Sequence, residues 1–458
     1  MLLPESSRKN VSPEKNQQYA DTLCKMINCK TVWTADGTNR EQYQRFYQVV
    51  AESFPLLHST ARRLTFADGC FFYVIEGANS RKNILLMSHH DVVDGDDKWD
   101  TDPFQAVQKD GALWGRGTID TKTPLFAQLQ AAEELLSAGH DFQGMTLYIG
   151  SSHNEEVSGD GMLLAVDWFR QNGIRFDAIL DEGGAITTGM IPGVSAKSAM
   201  IAVHEKSRHR YLCTARQDDS GHVGLNPVDD SAVAKMASFI AAVEKANVYK
   251  GHFHPEVKAT FTSHAPYMSF PLNLLFGNFT VFGPLIQKIM LKIPQTKAML
   301  STSATFTSIF GGKPDHPQFR AQTVEATLFL RCIREDDLYA GLETIKAIGK
   351  RYGVTLEEVE RDYCVPTDFR EKPYQVLEST LNENFPDVIV APFLLTAGTD
   401  ARRFSDIADS ILRFAPIDLS KAQYATIHNA NENITIQNIG QCVLFYKDFI
   451  RNIQGAAL

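Results

Sequence analysis

Short apolar runs alternate with helix-like stretches through the first 200 residues, and this alternation limits the folds open to the chain. The runs at 83–89, 145–151 and 176–182 have the length and composition of buried strands. Helix-like stretches at 124–139 and 161–173 precede the second and third of these strands, as a βαβ unit requires. The order predicts an α/β domain with parallel strands.

A different order of elements begins at about residue 207. Strand, helix, strand, strand, helix and strand are predicted in turn at 210–217, 229–246, 304–312, 323–333, 335–353 and 354–361. This β-α-β-β-α-β order is the ferredoxin-like arrangement. After about residue 357 the α/β pattern returns, with predicted strands at 386–395 and 411–417. We therefore expect residues 207–356 to form a domain inserted between the two parts, 1–206 and 357–458, of a larger one.

Composition excludes several classes of function. The net charge of −9 argues against a nucleic-acid-binding protein, which would usually carry a basic face. The seven cysteines include no Cys-x-x-Cys pair, so reduced thiols and a cytoplasmic location are expected. The first residues contain no apolar segment of the kind that a signal peptide has. The apolar stretch 267–290 is interrupted by prolines and glycines, so we do not expect a membrane span.

Acidic residues and histidines follow the predicted strands. They are His89 and Asp91 in LLMSHHDVV, Asp120 in GRGTIDTK, Glu155 and Glu156 in NEEVSG, and Asp181 and Glu182 in LDEGG. Each segment alone has an ordinary explanation, such as a surface strand end, a solvated turn, or helix capping by Asp120 or Thr121. Together they fall beyond the carboxyl ends of strands, which is where open α/β sheets build their sites.

This set of side chains predicts a metal centre. So many carboxylates in one crevice would repel each other unless a cation lay among them. Imidazole and carboxylate are ligands of zinc, and an aspartate can bridge two ions about 3.5–4 Å apart. Because neighbouring side chains of an extended segment point to opposite sides, Glu156 can bind a metal while Glu155 stays free to accept a proton.

Five motifs in this order resemble the co-catalytic zinc amidohydrolases and peptidases that include aminoacylase and carboxypeptidase S. They are SHHDVV at 88–93, GRGTIDTK at 115–122, NEEVSG at 154–159, LDEGG at 180–184 and IHNANENI at 427–434. The resemblance runs from about residue 40 to 450 and is strongest to the branch of carboxypeptidase S and the N-fatty-acyl-amino-acid synthase/hydrolase. It implies a zinc-peptidase-like catalytic domain with an inserted ferredoxin-like lid or dimerisation domain, through which a homodimer would form.

The resemblance also implies a role for each matched residue. The implied ligands of two zinc ions are His89, Asp120 as the bridge, Glu156, His428 and either Asp181 or Glu182. Glu155 would be the general base, and Asp91 would orient His89. The peptide bond before Thr121 is often cis in relatives, and His90 is not expected to bind metal.

Two further segments resemble parts of the family that meet the substrate. His222, in SGHVGLNP, would reach the active site of a partner subunit and stabilise the oxyanion there, with a surface turn as the alternative. Arg402 or Arg403, in GTDARRF, would grip a substrate carboxylate, with a structural salt bridge as the alternative. The chain departs from its relatives at 318–321, where Gln-Phe-Arg-Ala replaces the usual Asn-x-x-Pro.

The implied activity is hydrolysis of the amide bond of N-acyl amino acids, or release of the C-terminal residue of small peptides. Zinc is the expected metal, with cobalt or manganese as substitutes. The alternatives are a dipeptidase of the same fold and a catalytically silent binding protein. The stretch 267–290 is interpreted as admitting a fatty or aromatic acyl group, or else as helix packing or a dimer contact. Neither nucleic acid nor membrane is expected as a partner.

Overall fold

A computed structural model describes residues 8–67, 69–95, 98–218, 221–224 and 230–458. The start of the chain lies outside these ranges, and so does half of the SGHVGLNP segment, of which residues 221–224 are described. The chain forms two compact units. Unit 1 comprises Met1–His204, Lys258–Phe279 and Val365–Leu458, and unit 2 comprises Glu205–Val257 and Thr280–Cys364.

These boundaries differ from the expected ones at three places, the first of which is small, since residues 205–206 belong to unit 2 rather than to the first part of the larger domain. Residues 258–279, placed by the sequence in the inserted domain, belong to unit 1, because Thr260 donates a hydrogen bond to the Pro392 carbonyl (2.6 Å) and His264 lies 2.9 Å from Ser198 Oγ. Residues 357–364 belong to unit 2, because the last strand of that unit continues to Asp362.

The strands are, in chain order, β1 (Arg62–Phe66), β2 (Cys70–Glu76), β3 (Lys82–His89), β4 (Val107–Lys109), β5 (Ala112–Trp114), β6 (Met145–Ser152), β7 (Ala178–Asp181), β8 (Ile186–Thr187), β9 (Lys197–Glu205), β10 (Ser207–Arg216), β11 (Ser303–Gly311), β12 (Thr323–Cys332), β13 (Val354–Asp362), β14 (Val388–Leu395), β15 (Ile411–Arg413), β16 (Asp418–Leu419) and β17 (Asn433–Thr435). The strands predicted at 83–89, 145–151 and 176–182 are thereby confirmed as β3, β6 and β7.

The helices are α1 (Pro13–Ile27), α2 (Arg40–Ser53), α3 (Pro55–Thr60), α4 (Lys122–Ser137), α5 (Gly161–Gln171), α6 (Ala232–Ala246), α7 (Pro255–His264), α8 (Leu272–Gly277), α9 (Phe279–Met290), α10 (Pro294–Ala298), α11 (Glu335–Tyr352), α12 (Lys372–Asn384), α13 (Lys421–Tyr424) and α14 (Ile436–Gly455). Short 3-10 helices form at Ala265–Tyr267 and Asp400–Phe404. The predicted helices at 124–139 and 161–173 are confirmed as α4 and α5.

Unit 1 is built on a large sheet with the strand order β1-β2-β6-β3-β7-β15-β9-β8-β16, and β14 also pairs with β9. The neighbours β6, β3, β7 and β15 run parallel to one another. Their carboxyl ends therefore meet at one edge of the sheet. His89 ends β3, Ser152 ends β6 and Asp181 ends β7, so the acidic segments that follow them are brought to this same edge.

Helices cover both faces of this sheet, as the alternation of strand residues requires. On β2, Phe71 and Tyr73 join the core formed with α1, α2, α4, α12 and α14, whereas Phe72 and Val74 join the core formed with α5. Glu134 of α4 ties the first layer together, because its carboxylate accepts bonds from Lys447 (2.6 Å) and the Tyr19 hydroxyl (2.5 Å). The result is the mixed α/β fold predicted from the sequence.

Unit 2 contains, among its described residues, an antiparallel sheet in the order β11-β12-β10-β13. The helices α6 and α11 pack on one face of it through residues such as Phe239, Leu342 and Ile345. The chain order β10, α6, β11, β12, α11, β13 is the predicted β-α-β-β-α-β order, with α7 to α10 placed between the first helix and the second strand. The function of this unit as a lid or a dimer contact stays a prediction.

The apolar stretch 267–290 forms the short helices α8 and α9, with Pro284 inside α9. No helix among the described residues has both the length and the apolar character needed to cross a bilayer. Large side chains of this stretch are exposed instead, including Phe270 at 79% and Val281 at 72%.

Candidate active site

The side chain of Asp120 lies between two imidazoles. Its Oδ1 is 3.0 Å from His89 Nε2, and its Oδ2 is 2.9 Å from His428 Nε2. The two histidines come from β3 and from the loop before β17, more than 300 residues apart in the sequence. Each carboxylate oxygen therefore faces a different nitrogen donor, which is the arrangement expected of a bridging ligand.

Glu156 and Asp91 connect the same group of side chains. Glu156 Oε2 lies 3.1 Å from His428 Nε2, so His428 is shared between Glu156 and Asp120. The backbone N–H of Glu156 donates to Asp91 Oδ2 at 3.0 Å. His89 Nδ1 lies 2.9 Å from the main-chain oxygen of Asp91 and 3.5 Å from its Oδ1. Asp91 thus fixes both the His89 ring and the backbone that carries Glu156.

The loop that carries Asp120 is organised by Glu432, a residue of the IHNANENI motif to which the sequence assigned no role. The Glu432 carboxylate is fully buried and accepts bonds from Arg116 Nη1 (2.8 Å) and from the backbone N–H groups of Gly117 (3.1 Å), Ile119 (2.6 Å) and Asp120 (3.1 Å). The peptide bond between Asp120 and Thr121 is cis. The signal available in the sequence was an arginine in one matched motif and a glutamate in another.

Asp181 and Glu182 lie beside this cluster in different environments. Both Asp181 oxygens accept backbone bonds, from Glu182 N–H at 2.9 Å and from Ala401 N–H at 3.0 Å. Glu182 lines the same cavity as His89, Asp120 and His428. Burial raises the pKa of Asp181 to about 6 and that of Glu182 well above its usual range.

Glu155 lies at the same cavity, on the turn after β6. Burial raises the pKa of its carboxyl well above the usual value, and the nearby carboxylates of Asp400, Asp91 and Asp120 act in the same direction, against the opposing effect of His89. Asp400 was not singled out from the sequence. A carboxyl with a raised pKa beside a candidate metal centre is suited to take up and release a proton during catalysis.

The electrostatics of the cluster fit bound cations. The bonds to Asp120 and Glu156 raise the pKa of His428 to about 10. Burial opposes protonation of His89, but the bonds to Asp120 and Asp91 raise its pKa well above the usual value. Without metal, the positive charges of the protonated His89 and His428 side chains therefore offset part of the negative charge of the carboxylates. Divalent ions would supply that charge and release the protons, as metal binding to histidine requires.

The cavity has a volume of about 370 Å³ and is lined by two kinds of side chain. The acidic and imidazole groups described above form part of its lining. Apolar side chains form another part, namely Met190, Met200, Phe393, Leu395, Ile417, Leu419 and Ile427. Such a cavity can hold a small molecule that has both a reacting polar group and an apolar group.

Arg402, Arg403 and His222, which were predicted to meet the substrate, contact other residues of the protein in the structure. Arg403 donates to Asp400 Oδ1 (3.1 Å) and to the Gly159 carbonyl (3.1 Å), and Arg402 donates to the Thr399 carbonyl (2.6 Å). His222 belongs to unit 2, where its exposed ring lies edge-on to Phe319 with centroids 6.1 Å apart. The roles of these three residues toward a substrate stay predictions.

An α/β sheet whose carboxyl edge gathers two histidines and several carboxylates defines a metal-dependent hydrolase. The chain belongs to Peptidase family M20/M25/M40, whose sequence profile matches residues 85–452. The resemblance drawn from the five motifs and the assignment to the hydrolases are thereby confirmed.

Individual relatives match over most of their length. The chain is 28% identical to the N-fatty-acyl-amino acid synthase/hydrolase PM20D1.1 of Danio rerio, over 96% of this chain and 87% of the relative. It is also 28% identical to the probable carboxypeptidase S-like 2 of Dictyostelium discoideum, over 95% of this chain and 85% of the relative.

Solved structures show the same fold. The M20 family metallo-carboxypeptidase Sso-CP2 of Sulfolobus solfataricus superposes with a TM-score of 0.66 at 16% identity, covering 95% of this chain and 99% of that one. The YXEP protein of Bacillus subtilis, described as a dinuclear metal-binding peptidase, superposes with a TM-score of 0.59 at 9% identity, covering 97% and 100%.

Proposed function

We propose that this protein hydrolyses the amide bond of N-acyl amino acids, or of the C-terminal residue of small peptides, with two zinc ions in the cluster around Asp120. The observation that carries the proposal is the pair of contacts from the two Asp120 oxygens to His89 and His428. We assign His89 to one metal position, Glu156 and His428 to the other, and Asp120 to both.

We infer that Glu182 rather than Asp181 completes the ligand set. Both oxygens of Asp181 already accept backbone N–H bonds, whereas Glu182 lines the cavity. Asp181 then positions the turn by holding the N–H groups of Glu182 and Ala401. The proposal therefore favours Glu182 where the sequence left both Asp181 and Glu182 open.

Two bound divalent cations would polarise the amide carbonyl and make a water molecule more acidic. Glu155 accepts the proton from that water and later delivers it to the leaving amine. Its buried position, with a raised pKa, suits both halves of this transfer. Asp91 keeps the His89 ring and the Glu156 backbone in place during the reaction. His222 is proposed to stabilise the oxyanion, and Arg402 or Arg403 to meet the substrate carboxylate.

The substitution Glu155→Gln tests this assignment. Turnover should fall by at least about a hundredfold, because general base catalysis contributes roughly 10²–10⁴-fold. The zinc content should stay that of the wild type, since Glu155 is not assigned as a ligand. Glu343→Gln is a matched control on an exposed glutamate whose side chain is 71% accessible.

Near-normal turnover in Glu155→Gln would remove that residue from the base role. An absence of hydrolysis by the zinc-loaded wild type, across acetyl-, long-acyl- and dipeptide substrates, would instead favour the catalytically silent binding protein. Activity on dipeptides alone would favour the dipeptidase alternative.

We further propose that an apolar acyl group or side chain of the substrate binds against the apolar residues that line the cavity. Phe393 is one of these residues, whereas Phe270 of the stretch 267–290 is 79% exposed. Loss of a buried phenyl contact is worth about 1.5–3 kcal/mol, or roughly ten- to a hundredfold in kcat/KM for a long acyl chain.

The pair Phe393→Ala and Phe270→Ala separates the two locations for that group. A selective loss on long-acyl substrates in Phe393→Ala places the acyl chain in the cavity. The same loss in Phe270→Ala places it at 267–290, as the sequence first indicated. A strict preference of the wild type for small polar acyl groups would end both versions.

A further inference from the structure

A second group of metal-ligating side chains lies in unit 2, outside the candidate active site. His252 and His254 come from the segment before α7, and Asp337 comes from the first turn of α11. One ligand atom of each residue lies within 4.8 Å of the ligand atoms of the other two. Two imidazoles with one carboxylate form a donor set that suits zinc and related transition metals.

The distances between these donors fit one shared ion. Asp337 Oδ2 lies 3.4 Å from His254 Nε2 and 3.7 Å from His252 Nε2. With metal–ligand bonds of about 2.1 Å, two ligands of a tetrahedral site lie about 3.4 Å apart. The His252 side chain is 49% accessible, so it can make a small adjustment, and a fourth position would be open to water.

His254 provides an independent observation that points to a ligand. Its side chain is only 6% accessible, and its Nε2 is buried without a hydrogen-bond partner among the described residues. Buried polar nitrogens without a partner are uncommon in native proteins, because the group loses its hydrogen bonds to water and gains none in return. This nitrogen faces Asp337 at 3.4 Å without making a hydrogen bond to it.

Arg334 lies near His254, but its charge is engaged elsewhere, because its guanidinium donates to Glu256 Oε2 at 2.9 Å.

The backbone around the three side chains is held in place before any ion binds. The His252 N–H donates to the Leu300 carbonyl at 2.9 Å, and Gln287 Nε2 donates to the Gly251 carbonyl at 2.7 Å. The Tyr249 hydroxyl donates to the Leu338 carbonyl at 3.3 Å, which joins this segment to the first turn of α11. A site that is preformed in this way loses little entropy on binding an ion.

We propose that His252, His254 and Asp337 bind one divalent transition-metal ion of the zinc type, which fastens residues 251–254 to the first turn of α11. The ion is structural, because the three residues lie outside the set assigned to catalysis. The proposal is independent of the hydrolytic function above and would hold for an inactive protein.

Zinc content at equilibrium tests this site. The full-length protein is dialysed against zinc buffered at a free concentration in the micromolar range, and bound metal is measured by mass spectrometry. The wild type should hold one equivalent more than His252→Ala, His254→Gln or Asp337→Asn, while all four retain the same hydrolytic rate. Because His252 is half exposed, His252→Ala keeps the test valid even where a change at the buried His254 impairs folding.

Two controls distinguish ligation from other effects. Asp336→Asn removes the same charge from the same helical turn, and His316→Ala removes an exposed histidine of unit 2, so both should keep the wild-type zinc content. Zinc should also slow amide hydrogen exchange at residues 249–256 in the wild type and in Asp336→Asn, but not in His252→Ala. Equal zinc content in the wild type and in all three site variants would overturn the proposal, as would a loss of zinc in Asp336→Asn equal to that in Asp337→Asn.

Discussion

Replacing Glu432 with glutamine removes the charge that organises the loop carrying Asp120. The carboxylate has no solvent exposure and accepts four bonds, two on each oxygen. Glutamine keeps one acceptor oxygen and presents an NH₂ group to the other pair of donors. Either Arg116 and Gly117, or Ile119 and Asp120, then face a donor instead of an acceptor.

The loss of stability of this loop in Glu432→Gln can be worked out from these contacts. Two bonds to a charged group are lost, each worth about 1.5–3 kcal/mol. Removing one partner of a buried ion pair costs about 3–5 kcal/mol, because Arg116 stays buried without its counter-charge. We therefore expect the loop to lose about 3–5 kcal/mol of its free energy of opening. A displacement of Asp120 by about 1 Å would in turn lower kcat by about a hundredfold.

Amide hydrogen exchange is the suitable assay, because it reports local opening in a chain with two units. The N–H groups of Gly117, Ile119 and Asp120 should exchange faster in Glu432→Gln than in the wild type, while amides of β10 in unit 2 should not change. Zinc content and kcat/KM are measured on the same samples.

The double variant Arg116→Met with Glu432→Leu provides a further comparison. It removes both charges but also every acceptor that Glu432 offers to the N–H groups of Gly117, Ile119 and Asp120, so the protection of these amides should not exceed that in Glu432→Gln. Protection in Glu432→Gln within about 1 kcal/mol of the wild type, with unchanged zinc content, would refute the role given to Glu432.

Three further predictions follow from the contacts in unit 1. Glu182→Gln should lower the zinc content by up to one equivalent while Asp181→Asn retains it, as measured by metal analysis; the reverse result would select Asp181 as the ligand. Removal of metal with a chelator should abolish hydrolysis, and zinc, cobalt or manganese added separately should restore it to different extents; activity that survives complete chelation would contradict the metal assignment. The Lys447, Tyr19 and Lys15 contacts outweigh the opposing effect of burial and lower the pKa of Glu134 to about 2. Because the folded-state pKa lies below the ordinary value of 4.5, these contacts stabilise the fold above about pH 4.5 and are lost as the pH falls towards 2. The urea midpoint of Glu134→Gln should therefore change less across that range than the wild-type midpoint, and parallel curves would contradict this.

The sequence alone was enough to predict the strands that build the site. The runs at 83–89, 145–151 and 176–182 are apolar because β3, β6 and β7 are buried between two helical layers. The His and acidic residues that follow them interrupt this apolar pattern. Because buried strands have an apolar composition, these strands and the candidate residues at their ends can be predicted without a structure.

The bounds of the two units and the hydrogen-bond partners of Glu432 depend on contacts between residues that are far apart in the sequence. Nothing in the composition of 258–279 shows that Thr260 bonds to Pro392, and so its membership of unit 1 was missed. The same holds for Glu432, whose four donors lie more than 300 residues earlier in the chain.

The basis for proposing Glu182 rather than Asp181 as the metal ligand also comes from the tertiary structure. Asp181 and Glu182 are adjacent, acidic and equally able to bind metal, so sequence gave no basis for preferring one. The two differ because the backbone N–H groups of Glu182 and Ala401 occupy the Asp181 oxygens, and the N–H of Ala401 is brought there from 220 residues away. Residue type determined which chemistry was available to this protein, whereas folding determined which atoms were left free to perform it.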